Sequence, residues 1–206
     1  QLADPAWAKK AKEGRASDIK PCINCLIGCI DRGMLSHTPI HCTVNPSLYR
    51  FECKPVEKAE TRKQVAVVGA GPTGCEAALT ASKRGHQVTI YEKRCIGGAM
   101  IEASKPENKA NIKRLIHYYE DHIMHDPNIT LVKKEVEYET LVHRGYDAVI
   151  IAVGGKTRIL NVPGIEKNSV IYASDYLNGS TAVTGNTVVV IGGGIPGAET
   201  ALELNA

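Results

Sequence analysis

The stretch that decides the fold reads Val65-Ala66-Val67-Val68-Gly69-Ala70-Gly71-Pro72-Thr73-Gly74. A short run of β-branched and apolar residues predicts a buried strand, and the G-x-G-x-x-G spacing directly after it predicts a tight turn into a helix. In this fingerprint the first glycine allows the turn, the second lets the backbone approach a pyrophosphate, and the third lets helix and strand pack closely. The candidate ligand-binding residues of this loop are Gly69, Ala70, Gly71, Pro72, Thr73 and Gly74.

The residues that follow complete the pattern of a dinucleotide site. A second apolar run over 88–91 ends in Glu92, 18 positions after the last fingerprint glycine, where a carboxylate can accept hydrogen bonds from an adenosine ribose. Lys93 is kept among the candidate binding residues, although a solvated charge is its simplest interpretation. Gly97 and Gly98 could bring more backbone to the same ligand or form only a turn. A glycine-rich turn without a ligand is the alternative for the whole arrangement.

Strands and helices alternate around this loop. The β-branched runs and helical segments are predicted over residues 64–68, 73–84, 88–91, 109–123, 129–133 and 148–152. This order predicts βαβ units around a parallel sheet, which is an α/β fold of the Rossmann-like type. We expect three parts: a loop-rich segment over 1–60, a dinucleotide-binding domain over 61–165 and the start of a second nucleotide-binding domain over 166–206.

A second glycine loop lies near the end of the chain. An apolar run over 187–191 predicts a strand, and Gly192, Gly194 and Gly197 occupy the three fingerprint positions after it. The residue that would read the ribose 2′ position does not follow within the sequence, so NAD and NADP are not distinguished. The loop predicts a second dinucleotide site, for NAD(P)H.

Four of the seven cysteines have the spacing of a ligand set: Cys22, Cys25, Cys29 and Cys42 form the pattern C-x2-C-x3-C-x12-C. Thiolates are soft ligands, and three close together can surround one side of an iron–sulfur cluster while a loop returns the fourth. A structural zinc site is the alternative, although such sites usually arrange their cysteines as two C-x2-C pairs. The spacing favours a 4Fe-4S cluster. The remaining cysteines, predicted to be small buried hydrophobes, are Cys53, Cys75 and Cys95.

The composition argues against several other classes of function. The chain has 206 residues, of which 25 are basic and 22 acidic, and the two kinds are interspersed, so no strongly basic face for nucleic acid is expected. Aromatic residues make up 5% of the chain, which leaves few platforms for stacking unpaired bases. No apolar run approaches a membrane span, and the amino end does not resemble a secretory signal. We expect a cytoplasmic protein that binds neither nucleic acid nor membrane.

Taken in order, the motifs resemble the carboxyl-terminal half of the family of bacterial NADH:flavin oxidoreductases that contains 2,4-dienoyl-CoA reductase, 2-enoate reductase and trimethylamine dehydrogenase. The resemblance covers essentially the whole chain. The matching stretches are 19–25, the Cys29-to-Cys42 loop and Val44-Asn45-Pro46 for the cluster, 69–74 with Glu92 for the flavin dinucleotide, Ala152-Val153-Gly154-Gly155 for a strand-end turn, and 192–197 for the nicotinamide loop.

The resemblance implies a path for electrons. NAD(P)H would reduce FAD, single electrons would pass through the cluster to FMN, and FMN would reduce an activated alkene such as an enoate or enoyl-CoA. The family holds FMN and substrate in an amino-terminal TIM barrel, of which residues 2–14 resemble only the end, so no catalytic residue is assigned here. The expected partners are an FMN-binding barrel, in the same or another chain, and further copies of the protein in a homo-oligomer.

Three alternatives stay open at this point. Amine-oxidising members of the family keep only ADP in the first dinucleotide site, and the first loop reads the ADP moiety that both ligands share. The chain could also be a non-catalytic electron-transfer subunit that docks on a separate partner. A structural protein with a zinc knuckle and a vestigial nucleotide fold is the third alternative.

Overall fold

The computed structural model describes residues 1–48 and 56–205. The strands are β1 (Gln64–Val68), β2 (Gln87–Tyr91), β3 (Ile129–Val132) and β4 (Ala148–Ile151). The α-helices are α1 (Trp7–Lys12), α2 (Pro72–Lys83), α3 (Met100–Ala103), α4 (Ala110–His125), α5 (Tyr138–His143), α6 (Ala173–Leu177) and α7 (Ile195–Leu204). A π-helix spans Ile27–Leu35, and 3-10 helices span Ala16–Asp18 and Glu107–Lys109.

The four strands form one parallel sheet in the order β3-β2-β1-β4. The chain runs from β1 through α2 to β2, moves outward to β3, and then crosses back to place β4 on the other side of β1. The loops after β1, β2 and β4 therefore meet at one edge of the sheet, at the point where the strand order reverses, which is where α/β proteins bind ligands. The α/β fold class predicted from the alternation of elements is confirmed.

The core lies on one face of this sheet. The buried side chains Val65 and Val67 of β1 stand beside Val88 and Ile90 of β2 in register. The helices α2 and α4 cover this face, and α4 turns its buried residues Leu115, Tyr119 and Ile123 toward it at the spacing of an amphipathic helix. The packing of two helices on the sheet holds the loop between β1 and α2 in place.

The predicted strand over 187–191 is wrong. These residues belong to no sheet, and Val189 and Ile191 are 82% and 73% exposed. A strand needs a neighbouring strand to pair its N–H and C=O groups, and within the described ranges none lies beside this segment. The other predicted helices and strands are present, with boundaries shifted by one or two residues.

The amino-terminal segment contains more helix than the sequence predicts. Beside α1, its π-helix closes i→i+5 hydrogen bonds such as Asp31 N–H to Leu26 O at 3.0 Å and Ser36 N–H to Asp31 O at 2.8 Å. Its apolar residues are largely exposed, Ile27 by 63% and Met34 by 67%, so no buried helical stripe marks it in the sequence. Among the described helices, none combines the length and apolar character required to cross a membrane.

Candidate functional site

The first glycine loop leaves β1 between the ends of β2 and β4. Gly69 has φ +99°, a left-handed conformation that residues with a side chain rarely adopt. Its N–H donates to Tyr91 O at 2.8 Å, and Ala152 N–H donates to Val68 O at 2.8 Å. A Cβ on Gly69 would lie 2.4 Å from Ala152 O. The turn is thus enclosed by both neighbouring strand ends, and only glycine fits it.

The other two fingerprint glycines differ in how closely they are packed. A Cβ on Gly74 would lie 1.9 Å from Gly69 O, so the first turn of α2 packs directly on the loop. Gly71 is the N-cap of α2, and the nearest atom to a Cβ there would be Gly98 Cα at 3.9 Å. Pro72 opens the helix, and Thr73 is exposed in its first turn. The looser packing at Gly71 is compatible with a pyrophosphate at the N-terminal N–H groups of α2, so the loop fits a dinucleotide.

Glu92 follows β2 and turns back to the loop. Its Oε2 accepts a hydrogen bond from Ala70 N–H at 2.8 Å, and its Oε1 accepts one from Arg94 N–H at 2.7 Å. The half-buried carboxylate keeps further lone pairs for a ribose hydroxyl. Lys93, in contrast, forms an exposed ion pair with Glu135 at 2.9 Å. The structure thus brings Glu92 to the loop and pairs Lys93 elsewhere on the surface.

The Gly97-Gly98 turn forms a second wall of this site. Gly97 N–H donates to Ala70 O at 2.9 Å. A Cβ on Gly98 would lie 2.8 Å from Gly71 Cα, so the two backbones are in direct contact. The strand-end turn after β4 supplies the third side through Ala152, and Gly154 has φ +74° with open space around it. The first loop, Glu92, the Gly-Gly turn and Ala152 therefore converge at one edge of the sheet.

The sequence reasoning missed the pair Arg94 and Glu102, which braces this site. Both terminal nitrogens of Arg94 lie 2.9 Å from Glu102 Oε1. Glu102 belongs to no recognised sequence motif. Its Oε2 is buried without a hydrogen-bond partner among the described residues. The pair ties α3 to the segment after β2. Opposite charges eight positions apart were the only signal in the sequence, and such spacing has no local structural meaning.

Cys75 lies under the first loop. Its Sγ donates to Ala70 O at 3.2 Å, and burial raises the pKa of the thiol to about 12. A thiol of this kind is unreactive at neutral pH and fills space as predicted. Cys95 is exposed, so its predicted burial is wrong: the turn after β2 runs over the surface. Cys53 lies outside the described residues.

The second glycine loop repeats the internal geometry of the first. Gly192 has φ +115°, and the N-cap residue Gly194 has φ −73° and ψ 176°, against −71° and −179° at Gly71. A Cβ on Gly197 would lie 1.9 Å from Gly192 O, the same distance as in the first loop. A Cβ on Gly192 would meet nothing within 4 Å. Because the surroundings differ and the geometry does not, the G-x-G-x-x-G turn is specified locally.

The four candidate metal ligands lie on two segments that backbone contacts join. Cys22 and Cys25 precede the π-helix, Cys29 lies in it, and Cys42 lies on the returning segment. His41 N–H donates to Gly28 O at 2.8 Å, and a Cβ on Gly28 would lie 2.5 Å from His41 O. Cys25 Sγ lies 3.2 Å from Thr43 Oγ1. The fold therefore returns Cys42 to the other three cysteines.

The backbone between these cysteines is held in unusual conformations. Asn24 and Leu26 have φ +54° and +58°, and a leucine in this left-handed region is strained. Asn24 N–H donates to Cys22 Sγ at 3.3 Å, the kind of amide-to-sulfur hydrogen bond that surrounds cluster ligands. All four thiols are free, and each is at least partly exposed. The donor set fits the chemistry of an iron–sulfur cluster.

The side chains in this segment do not converge on one ion. Within residues 1–48 and 56–205, no three His, Cys, Asp or Glu side chains form a group that could hold a single metal ion. A four-iron cluster requires the side chains to lie less close together than a single metal ion does, because each of the four thiolates binds a different iron.

A parallel sheet with a glycine loop at the reversal of strand order defines a Rossmann-like dinucleotide-binding protein. Residues 63–206 match the pyridine nucleotide-disulphide oxidoreductase family, as does the overlapping range 52–105. The chain belongs to that family.

Relatives and a solved structure agree with this assignment. The NADH oxidase of Thermoanaerobacter brockii is 40% identical over 205 residues, which are 97% of this chain and 32% of the relative. The cinnamate reductase of Clostridium sporogenes is 33% identical over 98% of this chain and 30% of the relative. A structure of 2-naphthoyl-CoA reductase with 2-naphthoyl-CoA matches with a TM-score of 0.92 and 34% identity, over 98% of this chain and 31% of that one. The chain spans about a third of the length of these proteins, and the family expected from its motifs is confirmed.

Proposed function

We propose that this chain is the electron-entry part of an iron–sulfur flavoprotein oxidoreductase. In this proposal the second glycine loop binds NAD(P)H, the first binds FAD, and the four cysteines bind a 4Fe-4S cluster. An FMN-binding barrel beyond this chain would take up the electrons and use them to reduce an enoate or enoyl-CoA double bond. The main observation behind the proposal is that the cysteine segment and the first glycine loop pack on the same core. Ile23 and Cys42 of the cysteine segment contact the core that supports this loop.

The residues of this chain would bind and orient the cofactors. Gly71 and the N-terminal N–H groups of α2 would hold a pyrophosphate, and Glu92 would accept hydrogen bonds from a ribose. The chemistry supplied by the bound groups would be hydride acceptance by a flavin and one-electron transfer by a cluster. Cys75 would stay neutral and unreactive beneath the loop, because burial raises the pKa of its thiol to about 12.

The exposed apolar surface beside the cysteines favours the docking of an electron acceptor there. Five apolar residues in and before the π-helix are between 43% and 73% exposed, namely Leu26, Ile27, Ile30, Met34 and Leu35. Exposed apolar residues grouped along one short segment are typical of interaction sites. We propose that the FMN-binding barrel packs here, beside the four cysteines that would hold the cluster. The name of the cinnamate reductase relative supports an alkene as the final acceptor.

The deciding experiment is anaerobic purification of the full-length protein, with assays of iron and acid-labile sulfide and identification of the released nucleotides. We expect about four iron and four sulfide per chain together with FAD, and bleaching of the flavin band by NADH or NADPH. Release of ADP in place of a second flavin would move the protein toward the amine-oxidising relatives. Zinc without flavin would overturn the proposal.

A matched pair of variants assigns the cluster to its ligands. Cys25→Ser removes a proposed thiolate, while Cys95→Ser removes an exposed thiol of the turn after β2. We expect Cys25→Ser to lose most of the iron while it keeps FAD, and Cys95→Ser to keep both. Equal iron content in the two variants would contradict the proposed ligand set.

A further inference from the structure

An ion pair joins the segment before the cysteines to the nucleotide-binding fold. Lys20 extends its Nζ to Glu76 Oε1 on α2. Tyr119 of α4 donates its hydroxyl to the same oxygen at 2.7 Å. One carboxylate oxygen thus links three parts of the molecule: the cysteine segment, α2 and α4.

Lys20 is held on several sides. Its side chain is only 14% exposed, and lysines are rarely buried to this extent unless they are paired. Its Nζ lies 5.8 Å and 5.7 Å from the ring centroids of Tyr118 and Tyr119, within the range of a cation–π contact. Its backbone N–H donates to Asp4 Oδ2 at 2.9 Å. Few side chains could replace this combination of charge, length and contacts.

The tyrosines beside Lys20 stay neutral. Burial, together with the charge of Glu76, raises the pKa of Tyr119, so its hydroxyl remains a donor to that carboxylate. Burial likewise raises the pKa of Tyr118 to about 12. The Lys20 ammonium therefore faces one carboxylate and two uncharged aromatic rings.

The ion pair joins the two segments that carry the proposed cofactor sites. Lys20 is two residues before Cys22, and Glu76 is two residues after Gly74. Any movement of the cysteine segment relative to α2 must stretch or break this contact. The rate of electron transfer falls steeply with distance, so a device that holds both segments has a direct effect on function.

We propose that Lys20, Glu76 and Tyr119 form a latch that positions the cysteine segment against the first glycine loop and sets the separation between the two cofactors. These are positioning residues, because they act through the loops that they hold. The redox consequence rests on the proposed function, whereas the mechanical role of the latch does not.

The first test follows electron transfer in the full-length holoenzyme. Lys20→Met keeps the apolar stem and removes the charge, Glu76→Gln removes the carboxylate charge, and Lys20→Arg is the conservative variant. The matched control is Lys9→Met, which removes a charge from α1 at a side chain that is 76% exposed. Anaerobic stopped-flow spectroscopy separates reduction of the flavin by NADH from the later reduction of the cluster.

We expect the rate of flavin reduction and the iron and FAD contents to match the wild type in every variant. Transfer from flavin to cluster should be at least about tenfold slower in Lys20→Met and Glu76→Gln, since small misplacements have large effects on rate. Lys20→Arg should retain most of the rate, and Lys9→Met all of it. If Lys20→Met loses iron, the variant Tyr119→Phe takes its place in the comparison, because it removes only the hydroxyl that donates to Glu76.

The second test does not require electron transfer. Hydrogen exchange of the amides over 20–29 and 41–45 should be about tenfold faster in Lys20→Met and Glu76→Gln than in Lys9→Met, because the opening of a segment depends on the contacts that hold it. Wild-type exchange in both variants would overturn the latch. If the wild-type protein carries no cluster or flavin, the proposed function fails, and the exchange result alone upholds or overturns the mechanical role.

Discussion

Single residues of the glycine loop have separable roles in folding and in the proposed binding of a dinucleotide. Gly74 is needed for packing, because its Cα lies against Gly69 O. A Cβ on Gly71 would meet only Gly98 Cα, at an ordinary contact distance of 3.9 Å, so the fold tolerates a methyl group there, and we propose that the small size of Gly71 serves a ligand. Glu92 accepts hydrogen bonds from the N–H groups of Ala70 and Arg94, and its remaining lone pairs are free for the proposed ribose contact.

Alanine at these two glycines should therefore have opposite effects. Gly74→Ala places a methyl group 1.9 Å from Gly69 O, and we expect it to lower the free energy of unfolding by about 1–3 kcal/mol or more. Gly71→Ala should leave the unfolding temperature unchanged and reduce the FAD content, because its methyl group enters the space in front of α2. Thermal unfolding and flavin assays on both variants distinguish the two, and equal losses of stability would contradict the assignment.

Asp4 predicts a specific pH dependence. Its side chain is 7% exposed, and although burial by itself opposes ionisation, hydrogen bonds from Lys10 and from the N–H groups of Lys20 and Ala6 lower the pKa of this carboxyl. Because the pKa is lower in the folded state, the ionised carboxyl stabilises the fold at pH values above its ordinary pKa of about 3.9. This contribution is lost as the pH falls through the lower, folded-state pKa.

Urea unfolding of the wild type and Asp4→Asn between pH 7 and pH 3 tests this sign. At pH 7 the variant should be less stable by about 1–3 kcal/mol, because Lys10 and two N–H groups lose a charged acceptor. The difference should shrink toward pH 3. A difference that stays constant over the range would show that Asp4 does not titrate with folding.

Among the secondary-structure elements, α7 forms its glycine turn without a paired strand before it. The turn has the same internal distances as the first loop, although the apolar run over 187–191 lies outside the sheet. Gly194 caps the helix, and Pro196 lies in its first turn, where its missing N–H costs nothing. The glycine-turn geometry of this element is therefore independent of the sheet.

Substitution in this second loop should affect the nicotinamide and spare the flavin. Gly197→Ala brings a methyl group to 1.9 Å from Gly192 O, whereas a Cβ on Gly193 would meet nothing within 4 Å. In the full-length protein we expect Gly197→Ala to retain FAD and to slow its reduction by NAD(P)H by about tenfold or more. Gly193→Ala is the control for stability and flavin content. Loss of FAD in Gly197→Ala would contradict two separate sites.

At the scale of the whole molecule, a small number of polar contacts joins the parts. Lys109, at the entry to α4, pairs with both oxygens of Glu199 on α7, at 2.7 Å and 2.8 Å. The two side chains are 27% and 17% exposed.

The outer face of β4 exposes Val149 and Ile151, although parallel sheets are usually covered on both faces.

Loss of the Lys109–Glu199 pair should loosen the attachment of α7, the helix that follows the second glycine loop. Glu199→Gln is expected to weaken its docking by about 1 kcal/mol, since both partners are only partly exposed. Limited proteolysis between 155 and 170 should then be faster than in the wild type. Glu203→Gln removes a charge from the same helix and serves as the control. Identical cleavage in both variants would show that the pair contributes nothing to docking.

The sequence by itself determined the features that depend on near neighbours along the chain. The order of strands and helices follows from apolar periodicity, and the shape of both glycine loops follows from the spacing of their glycines. The set of Cys22, Cys25, Cys29 and Cys42 was likewise visible as spacing. Such features need no knowledge of distant contacts, and the α/β class and the family were therefore predicted correctly.

The tertiary structure alone decided the contacts between residues far apart in sequence. It placed Gly98 on Gly71, joined Arg94 to Glu102, and brought Lys20 across 56 positions to Glu76. It also left 187–191 out of the sheet, because an extended segment becomes a strand only where a neighbour satisfies its backbone groups. Local patterns specify conformation, whereas pairing, burial and the balance of charges depend on what the rest of the chain brings alongside.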